Sequence, residues 1–326
     1  MKFGNVEIVY TGTHKWIFDR LILVVRAGSM AYGTNIATSD VDVRGVFVPT
    51  CSSLFGFRNK VDQVDSDFVD ATDSKLDCAI FDVRKFAALA AESNPNIIEL
   101  LFTGGEDCLF VHPAIKNMLD NRNAFLSKKV KNSFCGYARG QLARIQLHRG
   151  YLLNPISEPP SREVFGLPPA KKAADKEQIK AAEYLNGVGY GYGSNFQALI
   201  DKEKKYKDLT SQWDKYQDWK KNRNPARAEL EAGFGYDLKH GMHLARLLRM
   251  CLEIIQTGKV HVRRQDANEL LEIRNGLWSY DRLIKWSEEQ EARISEAFSR
   301  TSLPDQPNYD LIDSLCMETI TSFIGK

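Results

Sequence analysis

The chain has 326 residues, 43% hydrophobic and 26% charged, with a formal net charge of +2, enough for one large or two ordinary domains with a sizeable core. The opening MKFGNVEIVY lacks the cationic head and apolar core of a signal peptide, and the purest apolar run, Leu21 to Val25, is too short to span a bilayer, so neither secretion nor a membrane partner is expected. Six cysteines without paired spacing argue against a zinc knuckle or a disulfide frame and suit a reduced, cytoplasmic protein.

The small net charge hides a polarised distribution. Residues 1–110 carry ten Lys and Arg against fifteen Asp and Glu, whereas 111–150 carry eight basic residues against Asp120 alone. Residues 239–265 carry six basic residues against Glu253. An acidic front half beside two basic segments suits a metal site that handles a polyanion.

Residues 21–27 read as a buried strand closed by Gly28. Val41 to Val48 reads as a second strand, with Val41 and Val43 on one face and Asp40, Asp42 and Arg44 on the other, ended by Pro49. Five aspartates stud a polar loop between Asp62 and Asp73. KLDCAIFDV reads as a third strand running into the helix RKFAALAAE, followed after SNPN by the short apolar helix IIELLF. From His112 onward the pattern is helical, starting with HPAIKNMLDNRNAFL, whose proline suits a first helical turn. KVKNSFCGYARGQLARIQLHRG places Tyr137, Gln141, Arg144 and His148 on one stripe. Residues 153–170 are proline-rich and read as a loop, and the segment at about 155–225 is charged and less regular. Within it Tyr206, Leu209, Trp213 and Tyr216 mark a helix with an aromatic packing edge. Asp237 to Gln256 forms a strong helix with Leu244, Leu247, Leu248, Cys251 and Ile255 on its apolar face, Lys239, His243 and Arg246 opposite, and Gly258 as its stop.

Two carboxylates at i and i+2 on a strand share a face, where their charges repel unless a proton or a divalent cation lies between them. Oxygen-only ligation favours Mg²⁺ or Mn²⁺ over zinc. Gly28 and Ser29 add a turn with exposed N–H groups and a hydroxyl, suited to phosphate oxygens. A metal beside a phosphate cradle is the equipment of phosphoryl or nucleotidyl transfer. Such a site needs a third carboxylate on a neighbouring strand. Asp77, between Leu76 and Cys78, fits best, with Asp82 and the loop residue Asp73 as rivals.

The spacing from Gly28-Ser29 to Asp40-x-Asp42, with apolar residues at 41 and 43, resembles the signature of the DNA-polymerase-β-like nucleotidyltransferase superfamily. The blocks GSMAYGT…SDVDVRGVFVP, FDVRKFAALA…NPNIIELLF, FLSKKVKNSFCGYARGQLARI, GYDLKHGMHLARLLRM and IRNGLWSY resemble one branch, the RNA-repair, RNA-ligase-associated nucleotidyltransferases. The resemblance covers about residues 20–286 and is weakest over 155–222. It implies an α+β fold: a small mixed-sheet palm over 1–110 followed by a mostly helical domain over 111–326.

Carried over residue by residue, the resemblance implies that Asp40, Asp42 and Asp77 hold Mg²⁺ (or Mn²⁺) as catalytic carboxylates. Gly28 and Ser29 then hold the phosphates of an NTP. Arg44 shares the aspartates' face, where it grips a phosphate or pairs with Asp42. Tyr32 and Asn35 lie in the loop over the site. Lys128, Lys129 and Lys131 are candidates for triphosphate or RNA backbone, and Tyr137, Gln141 and Arg144 for base recognition. Lys239, His243 and Arg246, with Arg274, form a second polar set for phosphate or acceptor. The implied activity is transfer of NMP from NTP to an RNA 3′ end, such as a damaged tRNA, alongside RNA-repair partners such as an RNA ligase. Nucleotidylation of a protein or small molecule and non-catalytic RNA binding are the competing classes.

Overall fold

The computed structural model describes residues 1–325 except Asn5, Thr38, Asn59, 168–179, 181–183, 185–193 and Asn224. The fold is α+β, with a five-stranded mixed sheet and many helices. Its strands are β1 (Leu21–Ala27), β2 (Asp42–Phe47), β3 (Gln63–Val64), β4 (Asp77–Asp82) and β5 (Cys108–Val111), in the order β3-β4-β2-β1-β5. β2 runs antiparallel to β1 but parallel to β4. Parallel neighbours put the starts of both strands, and hence Asp42 and Asp77, at one end of the sheet.

Alternation along the strands separates two cores. Val25, Val46, Ala79 and Phe81 face α3 (Val83–Ala91) and α4 (Pro95–Phe102), burying Phe86, Ala90, Ile97 and Leu101. Val24, Val43, Phe47, Cys78 and Ile80 face the N-terminal segment, where Phe3, Ile8, Tyr10 and Ile17 close the other side. Asp42, Arg44, Asp77 and Ala79 share the helix-covered face, so the site lies at the end of that face. The opposite-facing Asp82 ends β4 and caps α3: it accepts from the Arg84 N–H at 2.8 Å and holds the Arg84 guanidinium at 2.5 Å.

Contacts divide the chain into two compact units, Met1–Ile145 with Leu238–Lys326, and Gln146–Asp237. This division is not the expected one at residue 110, because the last helix contributes Ile312, Leu315 and Cys316 to the core around α3 and α4. In the first unit, the helix expected from His112 is broken into a short 3-10 turn, α5 (Lys116–Asp120) and a second 3-10 turn. The Asn121 side chain bonds back to the Asn117 carbonyl at 2.9 Å and competes with helix continuation. α6 (Lys129–Leu153) follows.

In the second unit, α7 (Ser194–Asn222) is a regular 29-residue helix, which corrects the expectation of a less regular segment up to 225. Its aromatic edge is packing: Tyr216 and Trp219 each stand 5.2 Å from the ring of Tyr151. Arg162 clamps Glu203 through two bonds of 2.7 and 2.9 Å, and α8 (Pro225–Phe234) closes this unit. The expectation for residues 168–179, 181–183 and 185–193 lies outside the described residues.

The first unit resumes with α9 (Leu238–Thr257), whose expected apolar face is buried throughout and whose stop, Gly258, has φ +65°. α10 (Ala267–Arg274), α11 (Tyr280–Phe298) and α12 (Tyr309–Ile324) complete it. Among the described residues no helix is long and apolar enough to cross a membrane.

Candidate active site

β1 runs out at Ala27, which pairs with Asp42, and the chain turns into the short helix α1 (Gly28–Tyr32). Gly28 has φ +60°, and a Cβ there would lie 1.7 Å from Oδ2 of Asp42. The missing side chain is therefore what lets the turn close onto the carboxylate. Gly33 ends α1 in the left-handed region, and the Thr34 N–H donates to the Ser29 carbonyl at 2.9 Å.

Asp42 and Asp77 are directly paired across β2 and β4. Register thus separates the three candidates for the third carboxylate: Asp77 stands beside Asp42, Asp82 is buried at the far end of its strand as a helix cap, and Asp73 lies in the turn 70–74. Asp40 is exposed two residues before β2. Burial holds the Asp42 carboxyl above the usual carboxylate range, and the charges of Asp77 and Asp40 raise it further, against Arg44 and Lys239, which lower it. The site is thus short of positive charge at Asp42.

Arg44 takes a partner other than the one considered from the sequence. Its Nη1 lies 3.0 Å from Asp77 Oδ1 and donates to the Asp77 and Val43 carbonyls at 3.0 and 2.8 Å. Arg44 therefore orients Asp77. Lys239 contributes charge at Asp42. His243 is held well below the ordinary histidine range by burial and by the charges of Arg246, Lys239, His240 and Arg274, so its imidazole is neutral at pH 7. Arg274 reaches the loop after α1, donating to the Thr34 carbonyl at 3.1 Å.

Several residues expected to meet a ligand have partners within the protein. Tyr32 is buried, with its hydroxyl donating to Glu99 Oε2 at 2.6 Å. Arg246, expected on an open stripe, is buried and paired with Glu99 Oε1. Both placements have one cause: α4 supplies a buried acid that needs partners. Lys128 pairs with Asp305 at 2.6 Å, Lys129 with Glu92 at 2.5 Å and with the Tyr309 hydroxyl at 2.7 Å, and Lys131 lies 4.5 Å over the Phe298 ring. Those three lysines tie the start of α6 to the C-terminal segment. Tyr137 accepts from Asn94 Nδ2 at 2.7 Å and Gln141 Oε1 lies 2.7 Å from His240 Nδ1, while Arg144 is exposed.

Glu99 was not singled out from the sequence, although a lone acid inside IIELLF is a usable signal, since a charge in an apolar run requires a buried partner. The clamp of Arg26 and Arg263 on Asp107, at 3.7 and 2.9 Å, was likewise not singled out from the sequence.

The paired carboxylates of Asp42 and Asp77 and the raised Asp42 carboxyl suit a hard divalent cation such as Mg²⁺, although the ligand oxygens of Asp40, Asp42 and Asp77 do not all lie within 4.8 Å of one another. Over 308 residues the chain is 25% identical to the "Uncharacterized 38.9 kDa protein in nrdC-mobD intergenic region" of Enterobacteria phage T4, covering 84% of this chain and 88% of that protein. No solved structure matches. Residues 7–150, which carry every strand of the sheet and all three paired or neighbouring aspartates, match the family described as RNA repair pathway DNA polymerase beta family (RlaP). Over that stretch the chain is similar to the polymerase-β-like RNA-repair branch.

Proposed function

We propose that this protein is a metal-dependent nucleotidyltransferase that moves NMP from an NTP to an acceptor hydroxyl, the 3′ end of an RNA such as a tRNA. The observation that carries this reading is the register of Asp42 with Asp77 beneath Gly28, with Asp42 left short of positive charge. Asp40, Asp42 and Asp77 would hold Mg²⁺ or Mn²⁺. When bound, the metal neutralises the triphosphate and lowers the pKa of the attacking hydroxyl.

The chain's own residues account for the rest. The Gly28-Ser29 turn offers main-chain N–H groups and a hydroxyl to phosphate oxygens. Arg44 fixes the Asp77 carboxylate, the more exposed of the paired acids, where the incoming hydroxyl would meet it. Lys239 adds positive charge on the Asp42 side, which favours a departing pyrophosphate. Neutral His243 leaves that set of cations without a further charge. A cytoplasmic setting and partners in RNA repair, an RNA ligase among them, belong to the same proposal.

The test is incubation with α-labelled NTP, Mg²⁺ and total RNA, using each of the four nucleotides in turn. Label on RNA 3′ ends that disappears with Asp42→Asn and with Asp77→Asn is the expected result. Label on protein or a small molecule would move the activity to the second class, and no turnover with any nucleotide would leave an RNA-binding protein without catalysis.

A further inference from the structure

Glu99, Tyr32 and Arg246 are each at most 6% exposed, and they come from three separate elements, α4, α1 and α9. Both oxygens of Glu99 are used: Oε2 accepts the Tyr32 hydroxyl at 2.6 Å and Oε1 pairs with Arg246 Nη1. Arg246 also places its guanidinium carbon 3.9 Å from the Tyr32 ring centroid and directs Nη1 to the Met250 sulfur at 3.4 Å. The Arg246 Nε is buried with no hydrogen-bond partner among the described residues.

Three apolar side chains of like volume would serve stability as well or better, because a buried ion pair rarely repays its desolvation. The return is conformational definition, and the place it is applied is specific. Tyr32 is the last residue of α1, one helical turn after Gly28, and Gly28 abuts the Asp42 carboxylate. The main chain leaving α1 is held as well: the Arg264 N–H donates to the Tyr32 carbonyl at 3.0 Å and Arg274 to the Thr34 carbonyl at 3.1 Å. Displacing Tyr32 would therefore move a single short turn with Gly28 and Ser29 at its other end.

We infer that Tyr32, Glu99 and Arg246 form a buried positioning triad that sets the Gly28-Ser29 turn against Asp42 for the phosphates of a nucleoside triphosphate. This deepens the proposed nucleotidyl transfer and rests on it. None of the three touches the nucleotide. They act through the turn, so removing one weakens nucleotide binding without removing a ligand contact.

The test titrates each of the four α,β-methylene nucleoside triphosphates in Mg²⁺ into wild type, Tyr32→Phe and Arg246→Lys, and records melting temperatures without nucleotide. Tyr32→Phe keeps the ring beneath Arg246, and Arg246→Lys keeps the charge beside Glu99. The expected result is a melting temperature within a few degrees of wild type and a loss of about tenfold or more in affinity. Equal affinity in wild type and both variants overturns the triad while leaving the proposed function intact. Wild type that binds no triphosphate overturns the proposed function itself, and the triad's role with it. If both variants lose their cooperative melting transition, the triad is scaffold and the inference fails.

Discussion

A methyl group at residue 28 would sit 1.7 Å from Oδ2 of Asp42 on a backbone with φ +60°. Gly28→Ala thus combines left-handed strain of about 1–2 kcal/mol with forced movement of a proposed metal ligand. The expected outcome is a modest fall in melting temperature and a loss of about a hundredfold or more in labelled-NTP transfer, the scale on which a 1 Å misplacement acts. Asp42 itself works against the fold. Its carboxyl is raised by burial and by Asp77, so folding favours the protonated form, and the stability lost as pH rises through that range stays lost at neutral pH. Asp42→Asn is accordingly expected to melt higher than wild type in EDTA while losing transfer activity and most of any stabilisation by Mg²⁺. A variant that melts lower in EDTA would show that Asp42 carries no such electrostatic burden.

At the level of elements, the strand pattern was legible because alternation is local. Asp42 and Arg44 share a face in any regular strand, and KLDCAIFDV reads as a strand without its neighbours. What alternation could not supply was the choice between Asp77 and Asp82, which depends on the parallel register of β2 with β4. The helix from 238 to 257 was equally readable from its period, yet the fate of its polar residues was not. Arg246 turns inward because Glu99 awaits it 147 residues earlier in the chain, and Lys128 finds Asp305 177 residues later. The same helix supplies a pH dependence. His243 titrates far below the ordinary histidine range in the folded protein, so the unfolded chain binds its proton first as pH falls through about 6.5. Stability should decline below that pH, at up to about 1.4 kcal/mol per pH unit for one group. His243→Asn should flatten this part of the urea-unfolding profile measured from pH 7.5 to 5.5. An unchanged slope would assign the dependence to other groups.

Across the whole molecule, the chain returns late to a core it began early. The sheet lies within the first 111 residues, yet α12, which starts at Tyr309, packs Ile312, Leu315 and Cys316 against the α3 and α4 core. Lys128 and Lys129 reinforce the return, bonding Asp305 and Tyr309 just before and at the start of that helix. The basic excess of residues 111–150, which suggested an anion surface, is therefore spent in part on holding the C-terminal segment in place. This arrangement implies that the palm strands do not melt independently of the last helix. Leu315 is 2% exposed, and Leu315→Ala should cost about 2–5 kcal/mol through lost burial and the cavity it leaves. If α12 and the sheet form one cooperative unit, hydrogen exchange in β1, β2 and β4 should speed up with the same free-energy change as in α12. Faster exchange confined to α12 would show instead that the helix frays alone and that the carboxylate-bearing sheet holds without it.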